Sequence, residues 1–189
     1  VTRDLSTRQG KKVELVIEGQ ETELDRSVIE EIGDPLVHLL RNAIDHGVEQ
    51  PEDRIAAGKP ETAIVKLTAE HVESSIVITV EDNGRGIDPA KIKAKSVERG
   101  LISAEVAQRM SDAEALELIF APGFSTAATV TDISGRGVGM DIVRTNVERL
   151  GGTVEVQSKL GSGSRFFLRL PLTLAIVQAL LVRVGGGIY

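Results

Sequence analysis

Residues 76–87 read Ile76-Val77-Ile78-Thr79-Val80-Glu81-Asp82-Asn83-Gly84-Arg85-Gly86-Ile87. Ile76, Ile78 and Val80 recur at every second position, which is the period of a strand with one face in a core. The strand ends on an acid, and two glycines follow at a spacing that makes a tight turn. Glycines there admit positive φ and let a flat ligand approach bare backbone. A carboxylate at the strand end can accept a hydrogen bond from an exocyclic amino group, which adenine has and guanine presents elsewhere. The plainer reading is a surface turn favoured by Asp, Asn and Gly, and residues 76–87 alone leave both open.

Working outward, Val65, Leu67 and Ala69 alternate in the same way, with Glu73-Ser74-Ser75 as the hairpin turn between two strands. Val13, Leu15 and Ile17 mark a first strand that ends at Gly19. A helix is expected from Asp34, its capping carboxylate, with Pro35 in the first turn and Gly47 at its end. Its core stripe is Leu36, Leu39, Leu40, Ala43 and Ile44. Residues 48–60 form a polar connection rich in charge and proline. Downstream, residues 89–99 read as a helix, and Ser111 with Glu114 makes a capping box ahead of Leu116, Ile119 and Phe120.

Periodicity disappears over residues 121–136, a small, polar, glycine-punctuated stretch expected to be a mobile loop. It returns over 138–150, where Met140, Val143, Val147 and Leu150 share a helical face. Strands are expected over 153–158 and 165–170, with Gly161-Ser162-Gly163-Ser164 as a hairpin turn between them. Residues 172–184 are apolar, and 185–189 close no recognisable element, which suggests a chain cut off inside a neighbouring domain. Helices between and after antiparallel pairs, without regular alternation, predict an α+β, two-layer α/β sandwich with helices over one sheet face.

Three further stretches carry chemistry. In His38-Leu39-Leu40-Arg41-Asn42-Ala43-Ile44-Asp45-His46-Gly47, spacing by four stacks His38, Asn42 and His46 on one helical face, with Asp45 beside it. An amide oxygen is a hard ligand suited to Mg²⁺, and His38 can act on a proton or orient a reacting group. A solvated polar face is the bland alternative. Ser134-Gly135-Arg136-Gly137-Val138-Gly139-Met140-Asp141 delivers three glycines into a helix start, where bare N–H groups and the helix dipole favour an anion. This is neither the dinucleotide fingerprint, since position 140 is Met, nor a Walker loop, since Asp53 stands five residues before Gly58. Phe120-Ala121-Pro122-Gly123-Phe124-Ser125-Thr126 can be a lid.

Composition narrows the classes. The 189 residues carry a net charge of −6 with only 3% aromatics, which argues against a nucleic-acid footprint. There is no cysteine, so no disulfide framework or thiolate metal site exists. No apolar run reaches the length of a membrane span, and the expectation is a soluble, cytoplasmic domain without membrane insertion.

In chain order the four stretches resemble the motif boxes of the histidine-kinase branch of the GHKL (Bergerat-fold) superfamily, which also holds gyrase, Hsp90 and MutL ATPases. Within that branch, His38 in place of a glutamate, Pro122 to Thr126 and Gly135 to Asp141 are similar to the CheA-type chemotaxis histidine kinases. The resemblance runs from about Val13 to Leu181. It implies a mixed, mostly antiparallel sheet and a division into the end of a dimerising helix (1–10), an ATP-binding kinase domain (11–175) and the start of a receptor-coupling domain (176–189). It implies ATP and Mg²⁺ as ligands, with Asn42 and His38 both at the metal and together the catalytic pair.

By the same resemblance Asp82 pairs with the adenine amino group, and Gly84, Gly86 and Ile87 shape the adenine pocket. Gly135, Arg136, Gly137, Val138, Gly139 and Met140 wrap the triphosphate, Asp45 and His46 adjoin the nucleotide, Lys91 and Lys95 either reach for phosphates or are solvated surface, and Ser125 and Thr126 belong to the lid. The implied partners are a phosphoacceptor histidine domain of the same kinase, a homodimeric whole with an adaptor of the CheW type and chemoreceptors, and response regulators downstream; this piece is expected to be monomeric. Ala127-Ala128 depart from a pair that often includes lysine. An ATPase module of the gyrase or Hsp90 kind, or a nucleotide-binding domain without turnover, are the alternatives. His71 reads as a surface residue.

Overall fold

The structure, a computed structural model, describes residues 10–19, 22, 26–124, 139–172, 183–184 and 187–188. Strands β1 (Val13–Glu18), β2 (Ala63–Val72), β3 (Ser75–Asp82), β4 (Thr153–Lys159) and β5 (Gly163–Pro171) form one sheet in the order β1-β2-β3-β5-β4. β1 runs parallel to β2 and the remaining pairings are antiparallel, which gives the mixed, mostly antiparallel sheet that was expected.

Strand alternation separates the two faces. Ile76, Ile78 and Val80 sit opposite Leu170, Leu168 and Phe166, and the last two sit opposite Val154 and Val156. All are buried. The other face carries Lys66, Glu81 and Arg165, with Arg165 paired to Glu81 at 2.6 Å. One step beyond Val80 on the apolar face comes Asp82, with Val65 on one side and Ser164, then Ser158, on the other. The carboxylate thus stands in the core row at its polar end.

Helices cover that face. α1 (Arg26–Asn42) continues as a π-helical turn over Ala43–Gly47. It is followed by α2 (Pro51–Ala56), α3 (Pro89–Glu98), α4 (Ala104–Arg109), α5 (Asp112–Glu117) with a 3₁₀ turn at Leu118–Phe120, and α6 (Met140–Arg149). Ile32 and Leu39 of α1, Phe120, and Val143 and Val147 of α6 join the sheet residues in the main core. Phe120 meets Phe166 edge-on, with ring centroids 6.4 Å apart. Ala43, Ile44 and Val48 form a second cluster with Ala63 and Val65 at the β1–β2 side.

Several boundaries differ from expectation. α1 begins at Arg26 rather than Asp34, so Pro35 lies inside the helix. A proline there costs a backbone hydrogen bond, on the order of 3 kcal/mol. Ile32 at 2% exposure and Val28 extend the apolar stripe into the core and offset that cost. The tight turn of the first hairpin is Glu73-Ser74 alone, because Ser75 already pairs with Val72. α4, capped by Ser103, was not anticipated, nor was the short ladder of β6 (Arg183–Val184) with β7 (Gly187–Ile188). The capping box of Ser111 and Glu114 is present as expected. The loop expected over 121–136 lies outside the described residues from 125 onward.

Candidate functional site

A cavity of about 450 Å³ opens between the end of β3, α1 and α3. His38, Asn42, His46, Asp82, Gly86, Ile87, Lys91, Lys95 and Met140 all line it. Asp45, Gly84 and Gly139 do not: Asp45 lies on the π-turn with its carbonyl taken by Lys11, and Gly84 packs behind Asp82. Ser125, Thr126, Gly135, Arg136, Gly137 and Val138 lie outside the described residues, as do Ala127 and Ala128.

The deep end is built around Asp82, which is 5% exposed. The N–H of Gly84 donates to its Oδ1 at 2.8 Å, and the Ser164 backbone supplies a second hydrogen bond. Burial nevertheless dominates and pushes the carboxyl up to about 6, against the lowering effect of those two bonds. Such a group is short of donors. Ile87, Ile92, Phe124, Met140 and Phe166 supply apolar walls around it. A flat, mostly apolar ring with an amino group at its edge fits this end.

Two close approaches explain the glycines. A Cβ on Gly84 would stand 2.1 Å from the Gly47 carbonyl oxygen, which accepts from Arg85 N–H at 2.8 Å. The end of the α1 π-turn is therefore pressed onto the turn after β3. Gly86 has φ of +72°, a left-handed conformation that a side chain would strain. The turn is also tied to the β4–β5 hairpin, since Ile87 N–H donates to Ser158 Oγ at 2.8 Å and Gly161 N–H to Arg85 O at 2.7 Å.

The other end of the cavity is polar. Asn42 Nδ2 donates to His38 Nε2 at 3.0 Å and to Met140 Sδ at 3.2 Å. Neither contact uses Asn42 Oδ1, the atom suited to a hard cation. Because the amide nitrogen can only donate, His38 Nε2 carries no proton. Burial, with Arg41 and His46 nearby, lowers the His38 pKa and keeps the ring neutral. Stacking by four holds for His38 and Asn42, then the helix widens into the π-turn, closed by Val48 N–H on Ala43 O at 2.8 Å. π-bulges of this kind recur at functional sites. His46, though displaced from the ideal stack, still reaches the cavity.

Among the described residues no group of three or more His, Cys, Asp or Glu side chains converges to hold a metal alone. A Mg²⁺ held by Asn42 would complete its shell with phosphate oxygens and water. Lys95 Nζ lies 5.1 Å over the Phe124 ring, and Arg99 donates to the carbonyls of Gly123 and Phe124, which fixes Phe124 as a wall. α6 begins at Met140 after Gly139, which provides no side-chain cap, and in its first turn the Ile142 N–H donates to Asp141 Oδ1 at 3.0 Å; the glycines expected to form the anion site ahead of Gly139 lie outside the described residues.

Sequence reasoning read Gly47 as a helix stop and Ser164 as part of a hairpin turn, and both prove to flank Asp82. It also passed over Glu49, Arg54 and Lys59. Arg54 is 1% exposed, bonded to Glu49 at 2.8 Å, while Lys59 donates to Glu49 at 2.7 Å and to Gly84 O at 2.6 Å. A charge run in a polar connection reads as solvated surface, and the only hint was its closeness to Gly47.

Comparison with known proteins places these features. The family described as histidine kinase-, DNA gyrase B-, and HSP90-like ATPase matches residues 31–174. The chain is 55% identical over all 189 residues to a "Sensor histidine kinase CheAY" of Helicobacter pylori, covering 24% of that protein. It is 54% identical over 96% of its length to "Chemotaxis protein CheA" of Bacillus subtilis, and 51% identical over its full length to "Chemotaxis protein CheA" of Salmonella typhimurium, covering 27% and 28% of those proteins. The chain thus spans about a quarter of the length of these relatives. Among solved structures, the histidine kinase domain of the Erythrobacter litoralis EL346 blue-light activated histidine kinase superposes with a TM-score of 0.51 at 17% identity, over 90% of this chain and 61% of that one. That likeness concerns the fold. No helix among the described residues is long and apolar enough to cross a membrane.

Proposed function

This chain belongs to the histidine kinase-, DNA gyrase B- and HSP90-like ATPase family, and from that premise we propose that it is the ATP-binding, phosphoryl-donating domain of a CheA-type chemotaxis histidine kinase. The observation that carries the reading is Asp82, a carboxylate buried at the apolar end of a cavity and short of hydrogen-bond donors. An adenine amino group supplies the missing donor, and guanine presents an acceptor at that position instead. Agreement with the relatives named CheA over the whole chain, at about half identity, supports the particular branch.

In this reading Asp82 orients the base, while Ile87, Ile92 and Phe124 exclude water from its faces. Asn42 Oδ1 is the protein atom for Mg²⁺, which when bound neutralises phosphate charge. Neutral His38 fixes Asn42 through the Nδ2 contact and so positions the metal ligand. His46, Lys91 and Lys95 stand at the polar end, with residues 135–139 as the phosphate loop. Catalysis is then mostly alignment and charge stabilisation, with the γ-phosphoryl presented to a histidine from elsewhere.

The bounds 11–175 for the kinase domain, with flanking pieces of a dimerising helix and a receptor-coupling domain, complete the proposal. So do an adaptor, chemoreceptors and response regulators as partners of the whole kinase, and a cytoplasmic place of action. Incubation with γ-labelled ATP and Mg²⁺ tests the central step. Acid-labile label on a separately added CheA-type phosphoacceptor domain, second-order in that domain and absent from this chain alone, is expected. Release of free phosphate without labelling, or rapid labelling of this chain by itself, contradicts it.

A further inference from the structure

Behind the deep end of the cavity lies an ion cluster whose residues do not line it, although the charges of Glu49 and Lys59 act on Asp82. Glu49, 9% exposed, follows the π-turn, and Arg54 and Lys59 sit on α2 and just after it. Arg54 Nε donates to Pro60 O at 2.8 Å and its Nη1 to Glu49 Oε2 at 2.8 Å. The same guanidinium donates to Asn83 O and Asn83 Oδ1, each at 3.2 Å. Lys59 Nζ donates to Glu49 Oε1 at 2.7 Å, Gly84 O at 2.6 Å and Asn83 O at 3.3 Å. Asn83 is also held to β2, since Ile64 N–H donates to its Oδ1 at 2.9 Å.

A buried ion cluster is weak ground for stability, because well-packed apolar residues often do as well. Its hydrogen bonds point instead to one peptide segment. Both cations donate to the Asn83 carbonyl and Lys59 also to that of Gly84, and the Gly84 N–H is the donor that orients Asp82 Oδ1. We propose that Glu49, Arg54 and Lys59 are positioning residues for nucleotide-base selection, clamping the Asn83–Gly84 segment so that Gly84 N–H holds one Asp82 oxygen and leaves the other for the exocyclic amino group. The inference rests on reading the cavity as an adenine nucleotide site.

The clamp, and the Lys59 charge that acts on Asp82 directly, both bear on the contact between Asp82 and the amino group, so the signature is a ratio of affinities. ATP and purine riboside triphosphate, which lacks only that amino group, are titrated calorimetrically into the unmodified chain, Lys59→Met and Lys59→Arg, with thermal melts of each. In Lys59→Met the preference for ATP falls about tenfold while purine riboside triphosphate binds within about twofold of the unmodified chain, the size of one lost charge-oriented hydrogen bond. Lys59→Arg, which keeps the cation, retains most of the preference. Should Lys59→Met not fold, Lys59→Gln takes its place in the same comparison. A folded variant with the preference intact, or with both nucleotides weakened equally, overturns the clamp alone. No preference in the unmodified chain overturns the adenine reading and the clamp with it.

Discussion

Glu49, just after the π-turn, and Asp82, at the end of β3, are both buried carboxylates, and their surroundings treat them in opposite ways. Burial raises both. Around Glu49, hydrogen bonds from Lys59, a backbone N–H and Arg54 outweigh burial and hold its carboxyl below the usual range. Around Asp82 two backbone hydrogen bonds fall short, and the carboxyl sits at about 6. One carboxylate is saturated with donors and belongs to the scaffold. The other is left wanting a donor, which is the expected condition of a group whose partner arrives with a ligand. The difference separates structural from recognitive burial without appeal to any relative.

The largest effect expected from breaking this contrast is at the saturated acid. Glu49→Ala leaves Arg54 buried without its carboxylate and should destabilise the chain by about 3 to 5 kcal/mol, read in chemical denaturation. A loss below about 1 kcal/mol would show that the cluster is not desolvated as the structure has it.

Asp82→Asn should act in the reverse sense on stability. The shift from 3.8 to about 6 corresponds to about 3 kcal/mol of strain in the ionised, ligand-free state. Removing the charge therefore stabilises the free chain at pH 7 by up to that amount, while ATP affinity falls at least about tenfold, because an amide has one accepting oxygen where the carboxylate offers two, one to Gly84 N–H and one to the amino group. A melt that is lower and ATP binding that is unchanged would contradict both halves.

The pH dependence follows from the same values. Asp82 binds its proton more tightly folded than unfolded, so its contribution to stability is fully present below 3.8 and is lost as pH rises through about 6. Glu49, with its lowered value, contributes above its ordinary 4.5 and loses that contribution as pH falls through the folded value. The stability gain from Asp82→Asn should accordingly vanish in acid and reach its full size above about pH 6. A gain independent of pH would place its cause elsewhere. Lys91→Ala should give the smallest effect, roughly 0.5 to 1 kcal/mol on ATP binding and shrinking with added salt, since Lys91 is an exposed charge at the cavity mouth.

Much of this contrast was legible in the sequence on one side only. The period-two run Ile76, Ile78, Val80 fixes which face Asp82 joins, and the glycines after it announce a turn that must take something close. The mixed sheet with helices on one face followed from the same periods. Glu49, Arg54 and Lys59 were not legible, because whether a charge run is solvated or buried depends on what packs onto it. Here Asn83 and Gly84 arrive from 24 to 29 residues away through the β2–β3 hairpin. The start of α1 was misread for a related reason: Asp34-Pro35 is a good local cap, and only the core contact of Ile32 overrides it. The π-turn after Asn42 left no mark in a pattern assumed to repeat every 3.6 residues.

The claim at the centre of the account is that Asp82 is held ready for an amino group, and its own titration reports this most directly. Carboxyl carbon resonances of the labelled chain, followed against pH with and without nucleotide, should place Asp82 at about 6 in the free protein. ATP should draw it down by a unit or more, because a donor to the ionised form favours that form, while GTP leaves it in place. An Asp82 that titrates in the ordinary carboxylate range when free, or that does not move when ATP binds, contradicts the account.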